Sequence, residues 1–309
     1  MIKTNSAPVT TALPETFELI GCIVTRHAYQ VSPSGSALSI TVENLAGQHE
    51  VLLELDDHPG TWSLNGLAAV KFQVTRHGDW LLGKGAHISH MHTHTGLSHL
   101  PRSKVSSPKQ VTETENWLKT CPFAPLQEFV FQILGRPDIG CAFFSLPASL
   151  KHHHCFAGGL AQHSIEVAQS VYAVSACFSE HERWLAAIAG LLHDVGKVRC
   201  FHANGRRTEL AYVVSHELLG IELLAPALAR LESSWPDGAN ALRYLFDWML
   251  RPRQQRPLMP IALTLKQADV MSASADNRKK AFSQLPEWQN FAKDQGPGPT
   301  SSYWLPSPP

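Results

Sequence analysis

The sequence lacks the features that mark membrane, secreted and uniformly basic proteins. No apolar stretch approaches the roughly 18 residues that a membrane helix needs, so no membrane partner is expected. The opening residues, MIKTNSAPVTTALPETFELI, lack a basic segment leading into a long apolar one, so no secretory leader is expected. The six cysteines (Cys22, Cys121, Cys141, Cys155, Cys177, Cys200) form no CxxC pair and no regular framework. That argues against a disulfide scaffold and for reduced thiols in the cytoplasm. Charged residues are scarce at 17%, with 26 basic against 26 acidic. This balance excludes a chain that coats nucleic acid by bulk charge, while leaving room for a local basic groove. No internal repeat is visible.

What is abundant is histidine, with 17 residues, many of them clustered. Such clustering points to metal chemistry or pH-sensitive surfaces. At 309 residues, 44% of them hydrophobic, the chain can bury two separate cores. Residues 1–14 are polar and proline-containing, and disorder is expected there. Over residues 15–88, short β-rich runs (FELIGCIVTRHAYQV, ALSITVEN, HEVLLEL, LAAVKFQVTR, DWLLGKGAHI) are separated by SPSG, LAGQ, DDHPG and RHGD. Turn chemistry at that spacing predicts a small all-β barrel or sandwich. Five strands fit an OB-like barrel, a form that commonly binds single strands, with an unrelated small β module as the alternative. Residues 89–112, rich in Ser, His, Thr and Pro, read as a linker; His90, His92 and His94 alternate within it, and solvated histidines are favoured there over a chelate. From Glu113 to about residue 290, apolar residues recur at three- and four-residue spacing, which predicts an all-α domain of six or more helices. The tail, 291–309, is rich in Pro, Gly and Ser and reads as flexible.

Three segments of the helical part carry chemistry. In AGLLHDVGK, His193 and Asp194 follow an apolar helix. A polar pair there is costly unless compensated, and a divalent cation is the natural compensation. Imidazole nitrogen with carboxylate oxygen suits Mn, Fe, Zn or Ni. Lys197, four residues after His193, faces the same side if the helix continues, where it can neutralise a phosphate. In KHHHCFAGGLAQHSIEVA, Gly158 and Gly159 allow a tight turn before a helix that starts near His163. His163 can then point at the same ion, and of His152, His153 and His154 at least one is expected to contact a second metal or the scissile phosphate. In LKQADVMSAS, Asp269 sits inside an otherwise apolar helix, where an acid must be paired, capping or ligating. His163, His193, Asp194 and Asp269 together make a four-ligand set of mixed nitrogen and oxygen donors, and His216 in VVSHELLG is the best-placed spare histidine. Arg206 and Arg207, and Arg251, Arg253 and Arg256, form two small basic clusters that read as solvated loops or as the wall of a strand-binding groove.

The pattern H…HD…D resembles the HD superfamily of metal-dependent phosphohydrolases. HHCFAGGLAQH and AGLLHDVGK are similar to segments of bacterial 3′→5′ exonucleases that join an OB-like domain to an HD domain. LPASLKHHHCFAGGLAQHSIEVA is similar to the TraI-type HD domain of MobH conjugative relaxases. The exonucleases carry a His-His pair on a helix before the final Asp, whereas LFDWMLRPRQQRP at that place has no histidine. The resemblance implies a metal-dependent nucleic-acid phosphodiesterase, a 3′→5′ exonuclease on single-stranded DNA or RNA, with a possible link to mobile elements. Manganese is the first expectation for the metal, with Mg, Ni, Fe or Zn as alternatives. It implies metal ligation by His163, His193, Asp194 and Asp269, with His216 as a further candidate ligand. Catalytic roles fall to Lys197, His153 and His154. Tyr29, Trp62 and Trp80, with Arg206 and Arg207, are the expected strand contacts; Phe72 reads as core. Two other readings stay open: an HD phosphohydrolase of nucleotides, and a non-catalytic, relaxase-like DNA-binding accessory.

Overall fold

The computed structural model describes residues 15–32, 35–54, 67–84, 89–90, 96–251, 256–293 and 301–307, and the side chains of 27–32, 35–37, 54, 84 and 89–90 lie outside that description. The chain divides into two compact units, Met1–Met91 and His92–Pro309.

The first unit is an OB-like barrel of five main strands. They are β1 (Thr16–Ser32), β2 (Gly35–Glu43), β3 (Gln48–Glu54), β4 (Ala68–His77) and β5 (Trp80–Lys84), followed by a two-residue β6 (Ser89–His90). Neighbours run β1-β2-β3-β5-β4, and β4 pairs back onto β1, which closes the sheet. Long β1 makes this closure possible. Its first half pairs antiparallel with β4 (Leu19 opposite Phe72) and its second half with β2 (Arg26 opposite Ile40), with a register shift between Ile23 and Thr25. A shift of this kind bends a strand and lets it serve two neighbours. β3 and β5 pair in parallel. Alternation points Leu19, Ile40, Val51, Val70, Phe72 and Leu81 into one buried cluster.

The second unit contains nine α-helices among the described residues. They are α1 (Pro108–Lys119), α2 (Ala124–Leu134), α3 (Pro137–Phe143), α4 (Gly159–Val174), α5 (Glu180–Leu192), α6 (Leu210–Val213), α7 (His216–Ser234), α8 (Pro236–Leu250) and α9 (Ala262–Phe282). Local chemistry sets several starts. Ser107 caps α1 by accepting from the Gln110 amide, with Pro108 in the first turn, and Ser179 with Glu182 forms a capping box on α5. Every residue of α5 from Trp184 to Leu192 is buried. A helix apolar all round belongs in the centre, and α5 packs against α4, α8, α9 and α2. Each large buried aliphatic side chain on it contributes about 1.5–3 kcal/mol of transfer free energy.

Two boundaries differ from those read in the sequence. Much of the expected linker is packed: Leu97 and Leu100 are fully buried, the Leu97 amide donates to the Glu115 carboxylate at 2.8 Å, and buried His99 donates to the Gly135 carbonyl at 2.7 Å. Polar composition concealed the apolar spacing Leu97, Leu100, Val105, Val111. In the expected tail, β7 (Phe291–Lys293) pairs with β8 (Ser302–Trp304), and the Phe291 and Trp304 rings stack with centroids 6.4 Å apart. The expected disorder of residues 1–14 falls outside the described residues.

Candidate metal centre

Three helices and the end of a fourth bring the motif residues together. α4 begins after a loop in which Gly158 adopts φ +81°, and a Cβ at Gly159 would lie 2.1 Å from the His154 carbonyl oxygen. Only glycine allows the histidine triplet to fold this closely onto the start of α4. His163 then projects inward, fully buried. α5 ends at Leu192, His193 is its cap, and Asp194 leaves the helical region at φ −102°, ψ 7°. The expected continuation of the helix through Lys197 is therefore corrected: Val195–Arg199 forms a 3-10 turn. Lys197 reaches back three residues, not four, to bond Asp194 Oδ2 at 2.5 Å. The turn is held by Gly196, where a Cβ would meet the His216 carbonyl oxygen at 1.8 Å. Backbone thus packs on backbone, and the first residue of α7, His216, sets its Nε2 3.0 Å from Asp194 Oδ1. Asp269 enters from α9.

The donor atoms converge. His163 Nε2 lies 3.2 Å from Asp269 Oδ1 and 3.7 Å from Asp194 Oδ2, and His193 Nε2 lies 3.4 Å from Asp194 Oδ2 and 3.9 Å from Asp269 Oδ1. Their protons can be assigned from the network. His193 Nδ1 is 2.7 Å from the Gly190 carbonyl, which can only accept, so Nδ1 carries the proton. His163 Nδ1 is 3.1 Å from Ser272 Oγ, and Ser272 gives its own proton to Glu166 Oε2 at 2.7 Å. The Ser272 oxygen is left to accept, so His163 Nδ1 is also the protonated nitrogen. Both Nε2 atoms are then lone pairs facing carboxylates. His163 Nε2 is buried and makes no hydrogen bond despite the nearby Asp269 oxygen, because both atoms are acceptors.

Acceptors converging on one largely buried point are costly unless a cation lies among them, and Lys197 meets only the Asp194 carboxylate. Ligands bound at about 2.0–2.2 Å from a shared ion need donor spacings of the order seen here. His163, His193 and Asp194 satisfy that spacing, and Asp269 Oδ1 lies within 4 Å of both imidazoles. Protonation states agree. Burial pushes the His163 pKa down, favouring the neutral ligand form. Burial raises the Asp194 pKa, but Lys197, His193 and His216 outweigh it and hold the carboxyl well below its usual range. Asp269 is likewise lowered: burial raises it, but a His163 proton turned towards it, the alternative tautomer of the metal-free site, and the charge of His193 outweigh that. The residues fit a divalent metal.

The triplet divides its work. His154 is buried, with a left-handed φ of +48°, and its backbone amide donates to Asp276 Oδ2 at 2.6 Å. Its Nε2 donates to Glu166 Oε2 at 3.2 Å, which leaves Nδ1 to accept from His153 Nδ1 at 3.3 Å. Both ring nitrogens of His154 are engaged in this network, where it positions His153. By the same assignment His153 keeps an Nε2 lone pair. Its pKa is lowered to about 4 by burial first, then by His163, Lys197 and His154. His153 lines a cavity of about 350 Å³ together with His152, Lys197, Arg207 and His216. His163 also lies within reach of a second donor group with His153 and His154. Its single free nitrogen cannot serve two ions.

Glu166, Ser272 and Asp276 were not singled out in the sequence. Their signal is spacing: Glu166 follows His163 by three residues on α4, and Ser272 follows Asp269 by three on α9, each on its partner's face. Of the expected strand contacts, Trp80 is 60% exposed. Phe72 is in the barrel core. The Tyr29 side chain and Trp62 lie outside the described residues, as do Arg253, His92 and His94. Arg206 is exposed and does not line the cavity. Arg251 is paired with Asp247. No helix among the described residues is long and apolar enough to cross a membrane.

Comparison with known proteins agrees with this geometry. Residues 160–274 match the HD domain family. The 3′-5′ exoribonuclease YhaM of Bacillus subtilis (strain 168) is 25% identical over 166 residues, and that of Bacillus licheniformis 32% over 166 residues; each alignment covers 46% of this chain and 51% of the relative. The chain thus spans about half the length of the curated relatives it matches. No solved structure matches. The matched span, 160–274, runs from the helix of His163 through His193 and Asp194 to Asp269, and the chain carries an HD domain there.

Proposed function

We propose that the protein is a metal-dependent phosphodiesterase that degrades single-stranded nucleic acid from its 3′ end, with RNA the first substrate to test. The observation that carries the reading is the convergence of two imidazole lone pairs and two carboxylates, linked through Lys197 and His216 to a cavity that Arg207 also lines. The names of the relatives supply the substrate class. The OB-like barrel, with Trp80 exposed on it, supports a single strand as ligand.

His163, His193, Asp194 and Asp269 would hold the ion, with His216 as a further partner of Asp194. A bound divalent ion supplies Lewis-acid polarisation of the phosphoryl oxygen and acidifies its water. Manganese suits the nitrogen and oxygen donor set. The chain's own groups do the rest. Lys197 places positive charge beside Asp194, where charge develops on the phosphoryl oxygens. His153, neutral at pH 7, offers a lone pair to the attacking water or a hydrogen bond to the phosphate. Glu166, Ser272 and His154 fix the orientation of His163 and His153.

The test is end-labelled single-stranded RNA and DNA incubated with metal-stripped protein, adding Mn²⁺, Mg²⁺, Ni²⁺ or Zn²⁺ in turn, beside Asp194→Ala. Metal-dependent shortening from the 3′ end, lost in the variant, is expected. Tight binding of strands without cleavage under any metal would refute the enzyme and favour an accessory DNA-binding role.

A further inference from the structure

The cavity beside the metal cluster is one-sided in charge. Its charged lining is Lys197 and Arg207, beside His153 and His216 and an apolar wall of Phe201 and Leu150, and no carboxylate among the described residues lines it. A larger cavity of about 580 Å³, lined in part by Glu166, carries that acid and Glu113 and is otherwise lined by neutral side chains. Only the first suits an anion.

The cations of the first cavity are not equivalent. Lys197 is bonded to Asp194 and so belongs to the metal cluster. Arg207 stands on a separate element. The chain turns at Gly205 (φ +79°), Phe201 and Arg207 bridge antiparallel, and the Thr208 amide donates to the Cys200 carbonyl at 3.0 Å. This hairpin projects an exposed arginine that has no ion pair among the described residues, only the Tyr212 ring 5.9 Å away. Lys197, Arg207 and Cys200, at the hairpin base, all line this cavity, so the two cations flank one space. Its volume, about 350 Å³, is at the small end of ligand pockets, room for one nucleoside.

We propose that this cavity holds a single nucleoside between two phosphates, one at the metal cluster and the next on Arg207. A guanidinium fork matches phosphate oxygens, and Phe201 offers a face for the base. The minimal ligand is then a nucleoside 3′,5′-bisphosphate unit, the repeat of a polynucleotide, and not a mononucleotide. This rests on the phosphodiesterase reading for the first phosphate only.

Titration calorimetry with the full chain in Mn²⁺ tests it, using adenosine 3′,5′-bisphosphate, adenosine 5′-monophosphate and adenosine 3′-monophosphate. The bisphosphate should bind at least tenfold more tightly than either monophosphate. Arg207→Ala should erase that advantage, and Arg207→Lys should restore part of it. As Arg207 is exposed, circular dichroism and thermal unfolding of the variants should match wild type. Equal binding of all three ligands, or an advantage that survives Arg207→Ala, overturns the proposal even if strands are cleaved. An Arg207-dependent advantage without strand cleavage keeps the cavity assignment and removes the nuclease.

Discussion

Ser272→Ala isolates the part of the centre that prepares His163. Ser272 is 5% exposed and makes two bonds, accepting from His163 Nδ1 and donating to Glu166. Without it the buried Nδ1–H loses its acceptor, a loss of about 1–3 kcal/mol. His163 has an escape in the metal-free protein: it can move its proton to Nε2 and donate to Asp269, 3.2 Å away. That escape blunts the loss of folding stability, to about 1 kcal/mol by the lower end of the same range. It removes the lone pair a metal needs. The penalty should therefore appear chiefly in metal affinity, a weakening of about 10–100-fold, the size seen when groups behind a ligand are lost. Calorimetry of Mn²⁺ binding to stripped protein measures the first quantity and urea denaturation without metal the second. Ser272→Thr, which keeps the hydroxyl, should bind metal nearly as wild type. Ser272→Ala affinity within twofold of wild type would refute the assigned tautomer and with it the preorganised centre.

Asp194→Ala should abolish both cleavage and the metal-induced rise in melting temperature, and it should cost roughly 3–5 kcal/mol because Lys197 loses its buried partner; a variant that still gains stability from Mn²⁺ would place the ion elsewhere. Gly196→Ala should destabilise by about 1–3 kcal/mol, since its methyl would collide with the His216 carbonyl; calorimetric melting close to wild type would deny the tight packing of α7 on the HD turn. Acid should weaken the fold in two windows. The His153 pKa is depressed to about 4 from 6.5, so the unfolded chain takes up the proton first and stability falls as pH drops from 6.5 through 4. Glu166 is lowered from 4.5 to about 2: burial raises it, but bonds from His154, Ser272 and Gln162 win. Its contribution is present above 4.5 and lost as pH falls towards 2, about 1 kcal/mol after allowance for its 40% exposed side chain. Urea midpoints of metal-stripped protein at pH 7, 5 and 3 read both windows, and Glu166→Gln should flatten the lower one.

The sequence made the strands of the barrel legible because alternation is a local signal: Leu19, Ile40, Val51 and Phe72 alternate as the core requires. Strand partners were not legible. The parallel pairing of β3 with β5 joins residues about thirty apart, with the whole of β4 between them in the chain. At the site, His193 and Asp194 announced themselves as polar residues ending an apolar helix, and His163 and Asp269 followed from type and context. The groups behind them did not. Ser272 and Glu166 are ordinary residues on helical faces, and only the packing of α4 on α9 turns them into a relay. Lys197 was legible as a partner of the site but not in geometry, since a continued helix was the simplest reading of AGLLHDVGK. Gly196 explains the difference: α7 packs so tightly on that turn that a 3-10 conformation with no side chain is what fits.

Charge accounting says why such a cluster should recruit a cation and then an anion. With both imidazoles neutral, Asp194 and Asp269 contribute two negative charges and Lys197 one positive, leaving the cluster acidic. A proton on His163 would balance it, but burial opposes that proton, and the Nδ1 side is already spent on Ser272. A divalent ion supplies two charges without disturbing either tautomer, and inverts the local sign from negative to positive. The inverted cluster then adjoins a cavity whose charged lining, among the described residues, is Lys197 and Arg207. A site that is acidic when empty and cationic when loaded repels a phosphate until the ion is in place. On the proposed reading metal binding would precede substrate binding, with Asp194 the shared group: its Oδ2 meets His163, His193 and Lys197, and its Oδ1 meets His216.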